Sequence, residues 1–128
     1  MTTMVLMYLL AAILVKHFVC DFLLQAHPYQ YLNKGTYGHP GGILHASIHG
    51  VGMFLVLVWF LPVFSVMLSA MIWLDMVTHY HIDWAKMNIG KKYNLKPDNS
   101  EWFWILLGFD QLLHMATYWV IIFLIINN

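Results

Sequence analysis

The sequence predicts an all-α integral membrane protein, a four-helix bundle, on three observations. Of its 128 residues, 61% are hydrophobic and only 9% are charged, with a mean hydropathy of +0.67, well outside the balance of a water-soluble domain. Four apolar runs divide the chain, Met4–Leu24, Gly42–Leu61, Val63–Ala85 and Trp102–Ile126, each near the roughly 20 residues a helix needs to cross a bilayer. Every run also carries ionisable residues spaced by four, which places them on one helical face.

The helices are expected at about 4–25, 43–61, 63–85 and 101–126, within a single transmembrane domain spanning 1–128. No basic residue precedes the first run and no small-residue cleavage site follows it, so it reads as a retained helix rather than a signal peptide. Two connections, 26–42 and 86–101, are rich in Gly, Pro and Asn and read as loops. Between the second and third helices the chain has almost no polar spacer, which predicts a tight hairpin with Pro62 in the first turn of the third helix. Asp98 and Glu101 have the spacing of a capping box at the start of the fourth helix.

Five of the six lysines, all but Lys16, lie in or beside the two loops. The positive-inside rule then puts the loops in the cytoplasm and both termini outside, as in a bacterial inner membrane. Trp102, Trp104, Tyr29, Tyr31, Tyr37 and Trp84 stand near one level, as an interfacial aromatic belt does. Net charge is zero and no basic cluster is dense, so a nucleic-acid partner is set aside. The one cysteine, Cys20, offers neither a disulfide framework nor a thiolate zinc site and reads as a small apolar residue.

The spaced residues are His17 and Asp21, His45 and His49, Asp75, His79 and Asp83, and Asp110 and His114, with Gln25 one turn beyond the first pair. At about 1.5 Å per residue, Asp21, His49, His79 and Asp110 come to one layer roughly 8 to 13 Å from the cytoplasmic ends. His17, Asp75 and His114 fall a turn deeper, and His45 and Asp83 nearer the mouth. Four intramembrane aspartates would together cost roughly 10 to 14 kcal/mol if unpaired. His–Asp pairing offsets part of this, and a bound divalent ion, at roughly 10 to 16 kcal/mol in small zinc domains, offsets most of it.

The expected metal ligands are therefore His17, Asp21, His49, Asp75, His79, Asp110 and His114, some of the carboxylates serving instead to orient an imidazole. Imidazole and carboxylate without thiolate suit zinc first, with manganese or iron as alternatives. Two ions are compatible with this number of ligands. His27 and His39 fall in the first loop and read as exposed, and His81 lies off the His79 face. Lys86, Lys91 and Lys92 stand at the mouth, where an anionic headgroup would sit.

The stretches HFVCDFLLQ, HASIH, HIDWAK and DQLLH together resemble the signatures of a small integral-membrane family of bacteria and phages catalogued as domain of unknown function 3307. The resemblance covers nearly the whole chain and implies four membrane helices with this polar layer, without a reaction. A looser similarity is to membrane-bound metal-dependent hydrolases, whose His-Arg pair has no counterpart because the chain has no arginine.

The leading functional expectation is metal-dependent hydrolysis of a lipid or lipid-linked phosphate, with the metal activating water and Asp83 or His45 as general base or acid. Four further readings stand beside it: a proton or metal-ion transporter or relay, a haem-binding anchor, a non-haem di-iron oxygenase, and a phage-type protein that binds a host membrane protein. Membrane lipids are the expected partners. Self-association would suit so small a chain, although it lacks a GxxxG motif and HGVG, at 49–52, is its nearest small-residue pair.

Overall fold

The computed structural model describes residues 1–61 and 66–127, among which every regular element is helical. The fold is all-α, with five α-helices where the sequence suggests four. Helix α1, Thr3–Phe18, starts where the Thr2 hydroxyl accepts from Val5 N. It passes directly into a π-helical turn, Val19–Leu23. The extra helix is α2, Pro28–Tyr31, a single turn inside the first loop.

Helix α3 spans Pro40–Phe60 and is capped by His39, whose ring accepts from Gly41 N at 3.0 Å. His27 caps α2 in the same way through Tyr29 N. The two loop histidines are thus cap residues, each followed by a proline at the first helical position. Helix α4 runs Val66–Lys92, well past the expected end near residue 85. It stops in a Schellman motif. Asn94, at φ 50°, takes the left-handed position, Leu95 N donates to Gly90 O at 2.8 Å and Asn94 N to Lys91 O at 3.2 Å. Helix α5, Glu101–Ile126, is capped by Ser100 Oγ accepting from Trp102 N. The expected capping box does not form, because Asp98 lies in the preceding turn and Ser100 takes the cap. The expected hairpin at Pro62 lies outside the described residues.

Large apolar side chains cover the outside, with Trp59 and Val66 the most exposed at 86% and 90%, while Lys16, Lys34 and four aspartates are buried inside. This inverts the pattern of a soluble domain. Among the described residues, three segments, Thr3–Leu23, Pro40–Phe60 and Glu101–Ile126, are long and apolar enough to cross a membrane. Over its described residues α4 does not meet that composition test, as Asp75, His79, His81 and Asp83 dilute its apolar residues.

The interior has two zones. In the halves of the helices nearest the termini, Leu9, Ile13, Met53, Leu57, Leu68, Met71, Tyr118, Ile121 and Ile122 form one apolar core. In the opposite halves lies the polar layer. The first loop folds back over that end. Asn88 Nδ2 donates to Gly35 O at 2.9 Å, and Gly38 N donates to the Tyr80 hydroxyl at 2.6 Å.

A Cβ on Gly41 would run into the backbone carbonyl oxygen of Tyr29, so α2 can sit against α3 only because Gly41 is there. A Cβ on Gly50 would meet the flexible end of Met76 instead. Gly41→Ala is therefore expected to lower stability by about 1 to 3 kcal/mol through overpacking. Gly50→Ala should cost less, since Met76 can yield and alanine favours the helix by about 0.5 to 1 kcal/mol. Thermal midpoints of the two variants in detergent check this ranking, and equal losses would contradict it.

Candidate metal centre

Nine ionisable residues converge in the polar layer, all buried: His17, Asp21, His45, His49, Asp75, His79, Asp83, Asp110 and His114. The four-residue spacing explains why each helix turns its set inward. Asp21 departs from that spacing only in its backbone, since it lies in the π-helical turn, a feature that re-aims side chains and is common at functional sites.

Two groups offer one ligand atom per residue within 4.8 Å of one another: Asp21, His45, His49 and His79, and then His79, Asp83 and His114. His79 belongs to both. The tightest convergence joins four atoms. His45 Nε2 lies 3.0 Å from His79 Nε2, 3.2 Å from Asp21 Oδ1 and 3.3 Å from Asp83 Oδ2. His79 Nε2 lies 3.2 Å from Asp83 Oδ2 and 3.6 Å from Asp21 Oδ1. A tetrahedral zinc with bonds of 2.0 to 2.1 Å sets its nitrogen and oxygen ligands about 3.4 Å apart. These five separations bracket that edge, so His45 and His79 could share such an ion with Asp21 or with Asp83, the two carboxylates falling in different groups.

His45 and Asp83, which helix ends counted from the sequence set nearer the mouth, thus stand within the cluster. The reason is where the helices end. Helix α3 begins at Pro40 and α4 continues to Lys92, which sinks His45 by about one turn and sets Asp83 about 14 Å in from the end of its helix.

The remaining residues stand around this centre. His17 Nε2 donates to Gln111 Oε1 at 3.1 Å, the orientation being set by Gln111 Nε2 donating to Asp110 Oδ2 at 3.0 Å. Tyr118 in turn donates its hydroxyl to His17 Nδ1 at 2.8 Å, so both ring nitrogens of His17 are engaged. Asp75 pairs with Lys16 at the deep end of the layer. Asp110 Oδ2 accepts from Lys86 at 3.1 Å, and its Oδ1 lies 3.6 Å from His114 Nε2. His17, Asp75 and Asp110 are outside both groups.

Three lysines enter the layer, and Lys16 and Lys34 among them are not anticipated above. Lys34 comes from the first loop and lies 2.6 Å from Asp83 Oδ2, 3.6 Å from Asp21 Oδ1 and 2.7 Å from Gln25 Oε1. Lys16, Lys34 and Lys86 together offset three of the four aspartates, so charge alone does not demand an ion. The case for one rests on the geometry of His45, His79, Asp21 and Asp83. A lysine midway along an apolar run was a visible signal for Lys16, and Tyr118 continues the four-residue series of Asp110 and His114. For Lys34 no local signal exists.

Lys86 also opens onto a pocket of about 510 Å³ at the loop end of α4 and α5, with Lys91, Lys96, Leu95, Phe103 and Leu106 among its walls. Lysine side chains and apolar walls thus meet beside the cluster.

Fold and site together define an all-α protein with membrane-length helices around a buried His/Asp cluster of a kind that could hold a metal ion. The family model described as "Protein of unknown function (DUF3307)" matches residues 9–128, and the chain belongs to that family. Comparison with curated proteins and with solved structures returns no match.

Proposed function

We propose that this is an integral membrane protein that holds a divalent ion, zinc by its ligand chemistry, and uses it to hydrolyse a lipid or lipid-linked phosphate. The observation that carries the metal is that His45 Nε2 and His79 Nε2 lie 3.0–3.6 Å from each other and from Asp21 Oδ1 and Asp83 Oδ2. A bound ion would lower the pKa of water and polarise a phosphoryl oxygen. His114, whose Nε2 is buried without a hydrogen-bond partner, is placed to accept a proton and pass it towards Asp110. Lys86, held by Asp83 and Asp110, would bind phosphate at the floor of the adjoining pocket.

Two features favour hydrolysis over transport. Among the described residues, the apolar core fills the halves of the helices nearest the termini and offers no polar path beyond the layer. The pocket, by contrast, opens at the loop end, with a mainly apolar lining flanked by Lys86, Lys91 and Lys96 that suits a lipid with an anionic headgroup. With Lys91, Lys92 and Lys96 at that end, the loops would face the cytoplasm and both termini the outside.

The test is elemental analysis of detergent-purified protein followed by phosphate release from phosphorylated lipids. Stoichiometric metal is expected, with release abolished by chelator. The Lys91→Ala/Lys96→Ala variant should keep its metal while KM for the lipid phosphate rises about tenfold, as loss of two exposed charge contacts implies. Well-folded protein without metal would remove the reading. Metal without release from any lipid phosphate would remove the hydrolase and leave the ion site.

A further inference from the structure

His49 lies in the same cluster, yet two independent observations set it apart from the residues suited to bind an ion. The first concerns its ring protons. Lys16 Nζ stands 3.3 Å from His49 Nδ1 and is at the same time the partner of the Asp75 carboxylate. An ammonium paired with a carboxylate has hydrogens to give and no lone pair to accept with, so Nδ1 must be the acceptor. A neutral imidazole carries one hydrogen, which then resides on Nε2. That nitrogen is buried, faces Asp21 Oδ1 at 3.8 Å and has no hydrogen-bond partner.

The second concerns ring planes. His49 stacks on His79 with centroids 3.5 Å apart and planes 25° from parallel. An imidazole ligates through a lone pair in its own plane, and two rings stacked in this way cannot both direct that lone pair at one ion. His45 has no such conflict, its plane standing 54° from that of His79. The chain makes room for the arrangement at Gly52, where a Cβ would come within 3.0 Å of Lys16 Cγ and 3.2 Å of Cys20 Sγ.

We propose that His49 is the hydrogen-bond donor of the centre and not one of its ligands: Lys16 holds its Nδ1, and the N–H on Nε2 is reserved for an anionic oxygen of the substrate. A buried N–H without an acceptor is costly unless something completes it. A phosphoryl oxygen entering the centre would do so, and it would gain a donor aimed where charge accumulates during hydrolysis. Lys16 and Asp75 are the positioning pair behind that donor. The inference rests on the metal reading for its functional meaning but not for the tautomer itself.

The test reads three quantities on the full-length protein in detergent. Nitrogen-15 spectra of histidine-labelled protein, with the His49 signals assigned by their absence in His49→Gln, should show Nε2 protonated and Nδ1 bare. His49→Gln should retain the zinc that His79→Ala loses. Inorganic phosphate should bind His49→Ala at least tenfold more weakly than the wild type, the loss expected for one hydrogen bond to a charged acceptor, with His49→Gln recovering part of it through its amide. A hydrogen on Nδ1, zinc lost from His49→Gln as fully as from His79→Ala, or unchanged phosphate affinity in His49→Ala would each overturn the proposal. If the wild type binds no zinc, the metal reading itself has failed. The tautomer is then read on the metal-free protein, where a hydrogen on Nδ1 overturns the donor assignment.

Discussion

Replacing His79 with alanine is expected to reduce bound metal from near one equivalent to background, a larger loss than from any other single histidine. His79 is the one residue shared by both groups of ligand atoms. It is stacked between His49, 3.5 Å away, and His114, 4.2 Å away, so its ring is held in place from both faces. Truncation removes a ligand and also the wall that keeps its neighbours apart. A structural zinc site is worth roughly 10 to 16 kcal/mol with all its ligands, so losing one of four, on the order of a quarter of that, weakens binding by about two to three orders of magnitude, and loss of the wall adds to it. Elemental analysis beside helical content by circular dichroism separates loss of the ion from loss of the fold. Retention of a full equivalent by well-folded His79→Ala would show that the ion, if bound, sits elsewhere. Asp21→Asn is expected to act in the same direction with a smaller effect, because the amide oxygen can still approach the ion while contributing no charge.

The membrane-length helices and the inward faces of the polar residues are legible from the sequence for the same reason: both depend on periodicity along a single helix. Apolar length marks α1, α3 and α5, and spacing by four marks which side chains share a face. What spacing does not specify is depth, since that depends on where a helix ends. His45 and Asp83 belong to the cluster because α3 starts at Pro40 and α4 ends at Lys92, and those ends are set by the His39 cap and the Asn94 turn. The π-helical turn carrying Asp21 leaves no periodic trace either. Lys34 marks the limit most sharply. It reads as one more loop lysine that helps set orientation, yet the loop folds back and buries it against Asp83, a contact made between distant segments. His17 shows the same limit, because only the contacts of Gln111 and Tyr118 reveal that both its nitrogens are engaged.

Lys16→Met is expected to destabilise the protein by about 3 to 5 kcal/mol, the cost of leaving a buried carboxylate without its partner. Lys16 and Asp75 have side chains only 4% and 2% exposed and adjoin the apolar core of the bundle, so the survivor would stay in a largely desolvated site. Asp75→Leu should cost a comparable amount for the opposite reason, a stranded ammonium that retains the rings of His49 and Tyr118 but no carboxylate. In the double variant Lys16→Met/Asp75→Leu no charge is left unpaired, and most of the stability should return, so the two single losses should be far from additive. Unfolding midpoints of the four proteins in mixed micelles complete the cycle. A coupling below about 0.5 kcal/mol, within ordinary additivity, would mean that the pair is not formed in the folded protein. A large coupling would separate stability from function at this position. The double variant would be well folded and keep its metal ligands, yet His49 would have lost the group that holds its hydrogen on Nε2. Recovered stability without recovered phosphate binding would thus assign the buried pair to orienting His49 and not to holding the helices together.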